Sequence, residues 1–348
     1  MTAKREEIVS TVCSTHCGGI CLLKVHVADG TITRIETDDG REPQLRACLK
    51  GRAMRQRVYA PDRLKYPLKR TGKRGEGKFE RITWEEALET IASELKRARE
   101  TYGPAAILFR SGGGDLGLVH GSGTAMARLL SLFGGYTTTW GSNSWEGATF
   151  ASAATLGTIH VENGRDDLLN SRFIILWGCD PAVTVHSTNT LWYLIQAKEK
   201  GARIVSVDPR LSDGMATLAD RWIPLRPTTD TAMLIAMAHA MVKEKLHDQG
   251  SLDRYTIGFD RFKAYLLGEE DGVAKTPAWA EAITGVPADD IETLAREYAT
   301  NRPAALIAGI SAGRTMMGEQ YHRAAITLAA MTGNIGVSGG HPGGWEFQ

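Results

Sequence analysis

The sequence predicts a doubly wound α/β fold with a small cysteine-rich domain in front of it. Three observations carry that prediction. Four of the five cysteines, Cys13, Cys17, Cys21 and Cys48, are crowded near the start, and only Cys179 lies beyond. From residue 83 onward, short apolar runs alternate with segments of helical period, the pattern of parallel strands joined by crossover helices. No apolar run approaches the ~18–20 residues of a membrane span, so direct membrane insertion is not expected. At roughly 100–200 residues per domain, 348 residues allow two or three domains. Lys plus Arg number 41 against 40 Asp plus Glu, a net charge of +1 that makes no electrostatic case for a nucleic-acid partner. Hydrophobic residues at 43% and charged residues at 23% exclude a disordered chain. The amino terminus shows neither an apolar h-region nor a twin-arginine pair. As written the chain reads as cytoplasmic, or as periplasmic and membrane-associated if an export signal has been removed.

Each element has its own signal. Residues 22–27 and 31–37 alternate in hydropathy around Asp29-Gly30, which predicts a β-hairpin. Residues 1–65 are read as one domain. A basic run follows, Lys65, Lys69, Arg70, Lys73, Arg74 and Lys78, either a solvated linker or a site for an anion or a partner. A first α/β domain is expected over 66–160. Thr83 is placed to cap a helix over 84–102, with Glu86 at the capping-box position. Residues 105–109 read as a buried strand; 124–133 and 144–156 read as helices. A second α/β domain is expected over 161–348. Its strands are read at 172–177, 202–207, 222–225 and 304–308, and its helices at 188–200, 231–245, 260–268, 288–300 and 318–332.

Four thiolates suit either zinc or an iron–sulfur cluster. Structural zinc sites use two close pairs, whereas here three cysteines sit together and the fourth follows Cys21 after a gap of 26 residues. That three-plus-one spacing favours a [4Fe–4S] cubane, with zinc as the alternative. His16 lies inside the motif, but four cysteines already complete a ligand set.

The segments Cys13-Ser-Thr-His-Cys17-Gly-Gly-Ile-Cys21, Arg46-Ala-Cys48-Leu-Lys50-Gly-Arg52 and Arg57-Val-Tyr-Ala-Pro-Asp-Arg63-Leu-Lys-Tyr-Pro67 closely resemble the dimethyl sulfoxide reductase family of molybdenum enzymes. The likeness is greatest to the catalytic subunits of its membrane-anchored, iron–sulfur-containing branch. The stretches 75–87, 222–230 and 272–280 continue it, so it covers essentially the whole chain. It implies a [4Fe–4S] cluster on Cys13, Cys17, Cys21 and Cys48, and bis(molybdopterin guanine dinucleotide) with molybdenum, or tungsten. It implies as partners a ferredoxin-like multi-cluster subunit and a membrane anchor subunit. Family catalytic subunits are about twice this length. The chain therefore reads as the N-terminal part of one, with its first α/β domain incomplete, and by itself inactive.

Dinucleotide pyrophosphates bind at strand C-termini against helix N-termini. Strand 172–177 runs into Gly178-Cys-Asp180, where a glycine lets backbone approach a phosphate. The next strand ends at Asp208-Pro-Arg210, an acid for a ribose and a base for a phosphate or an ion pair. Arg226-Pro-Thr-Thr229-Asp230 opens a helix. Asp230 is either its N-cap or, as the resemblance implies, the acceptor of two guanine N–H groups. Gly113 and Arg314 lie in glycine-rich loops that would line the pterins. The resemblance puts Lys50 between cluster and pterin. It also puts the protein ligand of the metal at Ser144, with Ser142 the runner-up and a plain N-cap the alternative. The segment 136–148 has no cysteine, which argues against the thiolate-ligated branches.

The expected function is reduction of a small S-oxide or N-oxide by oxygen-atom transfer, with electrons entering through the cluster. The alternatives are a dehydrogenase or non-redox hydratase or transhydroxylase with the same cofactor, and a non-catalytic iron–sulfur electron-transfer protein. The cluster assignment predicts that anaerobic reconstitution loads about four iron and four sulfide, and that Cys17→Ser disrupts loading. Metal analysis finding one zinc, with no iron-dependent visible absorbance, would refute it.

Overall fold

The computed structural model describes residues 6–13, 21–37, 46–110, 121–139, 141, 144–185 and 189–344. The chain forms two compact units, Met1–Trp140 and Gly141–Gln348.

In the first unit, β1 (Glu6–Val12), β2 (Leu22–Ala28) and β3 (Thr31–Thr37) form an antiparallel sheet in that order. The β2–β3 hairpin turns on Asp29 and Gly30, with φ of 51° and 73°. Both central residues are left-handed, as a type I′ turn requires, and Asp-Gly supplies that conformation most cheaply. Helices α1 (Leu49–Arg52) and α2 (Met54–Val58) follow, then an antiparallel ribbon of β4 (Leu68–Arg70) and β5 (Phe79–Arg81). Helix α3 (Trp84–Tyr102) starts where expected, because the Thr83 hydroxyl accepts the Glu86 backbone N–H at 3.1 Å. The Glu86 carboxylate takes the Lys69 ammonium at 2.9 Å and does not close the capping box. The predicted buried strand over 105–109 is corrected. Residues Pro104–Ala106 form a 3₁₀ turn, and only β6 (Leu108–Phe109) pairs as a strand. Proline fixes φ and favours a turn start. After α4 (Ser122–Leu132), β7 (Thr137–Thr138) pairs with β6 in parallel; that ribbon is only two residues long and leaves Leu108 63% exposed.

The second unit contains the doubly wound sheet. It runs α5 (Glu146–Leu156), β8 (Phe173–Trp177), α6 (Thr190–Glu199), β9 (Arg203–Val207), α7 (Asp213–Leu218), β10 (Arg221–Ile223) and α8 (Asp230–Lys243). Then come α9 (Gln249–Tyr255), α10 (Phe259–Leu267), α11 (Pro277–Thr284), α12 (Ala288–Thr300), β11 (Ala304–Ala308), α13 (Ile310–Gly313) and α14 (Glu319–Met331). The strand order is β10-β9-β8-β11, all parallel. Successive side chains of β8 enter opposite cores. Phe173, Ile175 and Trp177 pack with residues of α8, α12 and α14, while Ile174 and Leu176 pack with residues of α6 and α7. All five are fully buried. Each large apolar side chain so buried stabilises the fold by about 1.5–3 kcal/mol, and two-sided burial explains why β8 reads as an unbroken apolar run.

The last described segment is fastened to the start of the unit. The Asp167 carboxylate accepts from the Ser338 hydroxyl at 2.6 Å, the Gly339 N–H at 2.7 Å and the Asn170 amide at 2.9 Å. Burial acts to raise the Asp167 pKa, but those bonds, with one from Asn163, outweigh it and hold the carboxyl below its usual value. A depressed folded pKa contributes stability above the unfolded value near 3.9, and that stability is lost as pH falls through the folded value. Asp167→Ala is therefore expected to lower stability at pH 7 by about 1–3 kcal/mol. Denaturant titrations should show the deficit shrinking as pH drops below about 4.

Candidate cofactor site at the switch point of the sheet

Strands β9 and β10 extend the sheet to one side of β8, and β11 adds on the other. The reversal opens a crevice at the C-terminal ends of β8 and β11, the place where open α/β sheets receive ligands. Backbone lines that crevice. Gly178 has φ of 57°, and a Cβ on Gly309 would come within 2.1 Å of the Gly178 carbonyl oxygen. The Ser311 hydroxyl donates to the same carbonyl at 2.9 Å. Cys179 is half-buried and packs against the core on the α6 face.

The predicted residues of the strand ends gather along this edge. The Asp180 carboxylate accepts from the Ala182 N–H at 2.9 Å and from the hydroxyl of Ser212, the N-cap of α7. It therefore ties two βα connections together. The Asp208 carboxylate accepts from the Arg210 N–H at 2.9 Å, and its carbonyl takes the Trp222 indole N–H at 2.8 Å. The Arg210 side chain is exposed and pairs with no described carboxylate. Thr229 is the N-cap of α8, and its hydroxyl donates to the Arg226 carbonyl at 2.7 Å.

Asp230 is the first helical residue and is 7% exposed. Its carboxylate accepts the Trp177 indole N–H at 2.9 Å, so it is not a simple N-cap. Burial, with a smaller contribution from the Asp208 charge, raises its pKa against the opposing indole hydrogen bond. A carboxylate has about four acceptor sites, so the indole leaves capacity for further N–H donors.

Ser144 lies in the turn before α5, whose N-cap position is Trp145; the Ser144 side chain does not cap the helix. The Arg314 guanidinium approaches the Ser144 carbonyl at 3.4 Å. Two glycines allow that approach, since a Cβ on Gly147 would sit 2.6 Å from the Gly313 carbonyl oxygen. The structure thus joins the α5 start to the α13–α14 connection, which the sequence reading treated separately. Gly113 and Ser142 lie outside the described residues.

In the first unit Cys13 and Cys21 are buried beside Leu23 and Ala47, joined by a 2.8 Å bond from the Cys13 N–H to the Cys21 carbonyl. Cys48 is half-buried at the N-cap of α1, followed by exposed Lys50. Gly51 faces this group; a Cβ there would approach the Cys13 sulfur to 3.1 Å. Cys17 and His16 lie outside the described residues, and among the described residues no three donors converge as a metal site. Three cysteines in an apolar setting fit the chemistry of a cluster ligand set. The glycine-lined crevice likewise fits a pyrophosphate-bearing cofactor.

Because the folded pKa of Asp230 lies above its unfolded value, folding favours the protonated form, and that advantage is lost as pH rises through the folded value. Asp230→Asn keeps an acceptor for Trp177 and removes the buried charge. It is expected to match or exceed the parent in stability at pH 7, with the difference vanishing in acid. Asp230→Ala strands the indole N–H and should cost about 1–3 kcal/mol. Denaturation of both variants, followed by tryptophan fluorescence across pH, separates these outcomes.

Residues 6–60 match the Molybdopterin oxidoreductase Fe4S4 domain, and residues 63–347 match the Molybdopterin oxidoreductase family. The chain is 42% identical to the dimethyl sulfoxide reductase DmsA of Escherichia coli (strain K12), over 99% of this chain and 46% of that protein. It is 36% identical to a trimethylamine-N-oxide reductase of Salmonella typhi, over 84% of this chain and 38% of that protein. The chain thus spans about half the length of the curated relatives it matches. The fold is similar to that of acetylene hydratase from Pelobacter acetylenicus, with a TM-score of 0.73 at 23% identity, covering 95% of this chain and 44% of that one. From its iron–sulfur domain to its switch-point crevice, this chain belongs to the molybdopterin oxidoreductase family and is of the dimethyl sulfoxide reductase type, whose cofactors are a [4Fe–4S] cluster and molybdopterin-bound molybdenum.

Proposed function

We propose that this chain serves the reduction of a small S-oxide or N-oxide to the sulfide or amine and water, with electrons passing singly through the cluster. The observation that carries the reading is the environment of Ser144. Its carbonyl is approached by Arg314, while its hydroxyl bonds to no described residue and stands at the entrance of α5. An alkoxide is a hard oxygen donor suited to a high-valent metal. The names of the relatives, dimethyl sulfoxide and trimethylamine-N-oxide reductases, support the same chemistry. The bound molybdenum would supply the oxygen acceptor and the two-electron change. The chain's own residues bind and orient. Gly178 and Gly309 let backbone meet a pyrophosphate, Asp230 accepts guanine N–H groups, Asp208 and Asp180 order the turns around it, and Cys13, Cys17, Cys21 and Cys48 hold the cluster. Lys50 adds a positive charge two residues beyond Cys48. A ferredoxin-like multi-cluster subunit and a membrane anchor complete the electron supply in this reading.

Ser144→Ala in the complete, cofactor-loaded enzyme is expected to remove one oxygen from the molybdenum shell seen by X-ray absorption. Turnover of dimethyl sulfoxide with reduced methyl viologen should fall by at least the roughly 10–100-fold that losing a partner of a metal ligand costs. An unchanged shell with persisting activity refutes the role of Ser144.

A further inference from the structure

The interior behind Ser144 and Arg314 is organised around one glycine. Gly313 ends α13 and immediately precedes Arg314, and three groups press on it. A Cβ on Gly147 of α5 would stand 2.6 Å from the Gly313 carbonyl oxygen, and a Cβ on Gly318, the N-cap of α14, 2.3 Å from it. The third group is the imidazole of His322, in the first turn of α14. A Cβ on Gly313 itself would meet the His322 Nε2 at 2.3 Å and its Cδ2 at 2.7 Å. No side chain fits at position 313 while that ring is in place.

His322 is 1% exposed, and the Tyr321 ring packs edge-on to it with centroids 4.7 Å apart. Its ring donates to the Gly344 carbonyl, while Nδ1 has no partner among the described residues, so Nε2 carries the proton. Burial pushes the His322 pKa down to about 4, against that hydrogen bond, and the ring is neutral at pH 7. Gly344 is itself confined, since a Cβ there would come within 2.5 Å of the Ser152 hydroxyl of α5. One ring thus touches the glycine before Arg314 with its edge and holds a second glycine, packed on α5, with its one proton. An apolar side chain of similar size would fill this space without burying an unmet lone pair, so packing alone does not account for an imidazole here. Close-packed interiors transmit displacement. Shifting the ring would release Gly313, and with it the Arg314 guanidinium that approaches the Ser144 carbonyl at 3.4 Å.

We propose that His322 is a positioning residue: its edge on Gly313 and its Nε2–H on Gly344 set the Arg314 turn, and through that turn the orientation of Ser144. The consequence for turnover rests on the reading of Ser144 as the ligand of the metal.

The test has one arm without cofactor and one with it. In the full chain without cofactor, Gly313→Ala is expected to lower the unfolding midpoint by about 3–10 °C, but by less than about 2 °C once His322→Ala has removed the ring. Hydrogen exchange at residues 145–149 is expected to quicken about tenfold in His322→Leu, with residues 291–299 of α12 unchanged. His322→Gln, which keeps an N–H near the place of Nε2, should restore the parental rate. In the complete, cofactor-loaded enzyme, His322→Leu should lower kcat about tenfold or more while KM stays within about twofold. The same variant should broaden the oxygen shell of molybdenum seen by X-ray absorption, and His322→Gln should recover both. The proposal is overturned if Gly313→Ala costs as much without the ring as with it, if exchange at 145–149 is unmoved in His322→Leu, or if His322→Gln behaves as His322→Leu does. A loaded His322→Leu enzyme with parental kcat and oxygen shell overturns it too. Should His322→Leu not fold, the Gly313 cycle decides. Failure of the functional reading is separate: an unchanged molybdenum shell in Ser144→Ala contradicts the role of Ser144, while the Gly313 cycle and the exchange rates still report on His322.

Discussion

The hydrogen bond from the Trp177 indole to the Asp230 carboxylate joins the two requirements of this fold. Trp177 is the last residue of the central strand and is fully buried, so its polar edge must find an acceptor inside the protein. Asp230 opens the helix that covers the same face. One bond thus satisfies the indole, sets the start of α8 and holds a carboxylate at the mouth of the crevice. The Tyr321 hydroxyl adds a bond to the Trp177 carbonyl at 3.0 Å, locking α14 to the same strand end. Position and chemistry at the site are therefore consequences of core packing.

Burial in that packing explains the raised pKa of Asp230, against the opposing indole hydrogen bond. An acid placed for packing alone would serve as well as an amide. In the proposed function, a buried carboxylate, disfavoured as an anion, stands where a ligand with two N–H donors would compensate it. The crevice floor follows a similar logic. Gly309 presses on the Gly178 carbonyl more closely than any side chain permits, and β8 and β11 end in bare backbone there.

Much of this was legible in residue order. The five-residue apolar runs at 173–177 and 304–308 are long enough to be recognised as strands buried on both faces, and Asp-Gly at 29–30 allows only a tight hairpin. What escaped detection was short or depended on neighbours. Strand β1 exposes Ile8 and Val9 and is held by its ladder to β2, so its burial carries no alternation. Helices α7, α9 and α11 are six to eight residues long, too short to show a period. Their hydrogen-bonded caps, Ser212, Asp248 and Thr276, were the available signal. The placement of Gly178, Asp180, Asp208, Thr229 and Asp230 after strand ends or at a helix start could be read from the sequence. The contact of Arg314 with Ser144 could not, because it depends on a glycine-to-glycine approach between segments 170 residues apart.

The position of β11 also governs how the sheet is assembled in time. Ala304 pairs with Phe173 across 131 positions of sequence, after seven further helices have been made. The entropy of closing so long a loop grows only logarithmically, but the search for such a distant partner is slow. On a ribosome adding about 5–20 residues per second, the β11 side of β8 waits roughly 7–26 s for its neighbour. Through that interval the most apolar strand of the protein presents an unpaired edge, a template for pairing with other chains. The topology that creates the cofactor crevice therefore makes its nascent chain dependent on protection until residue 308 has emerged.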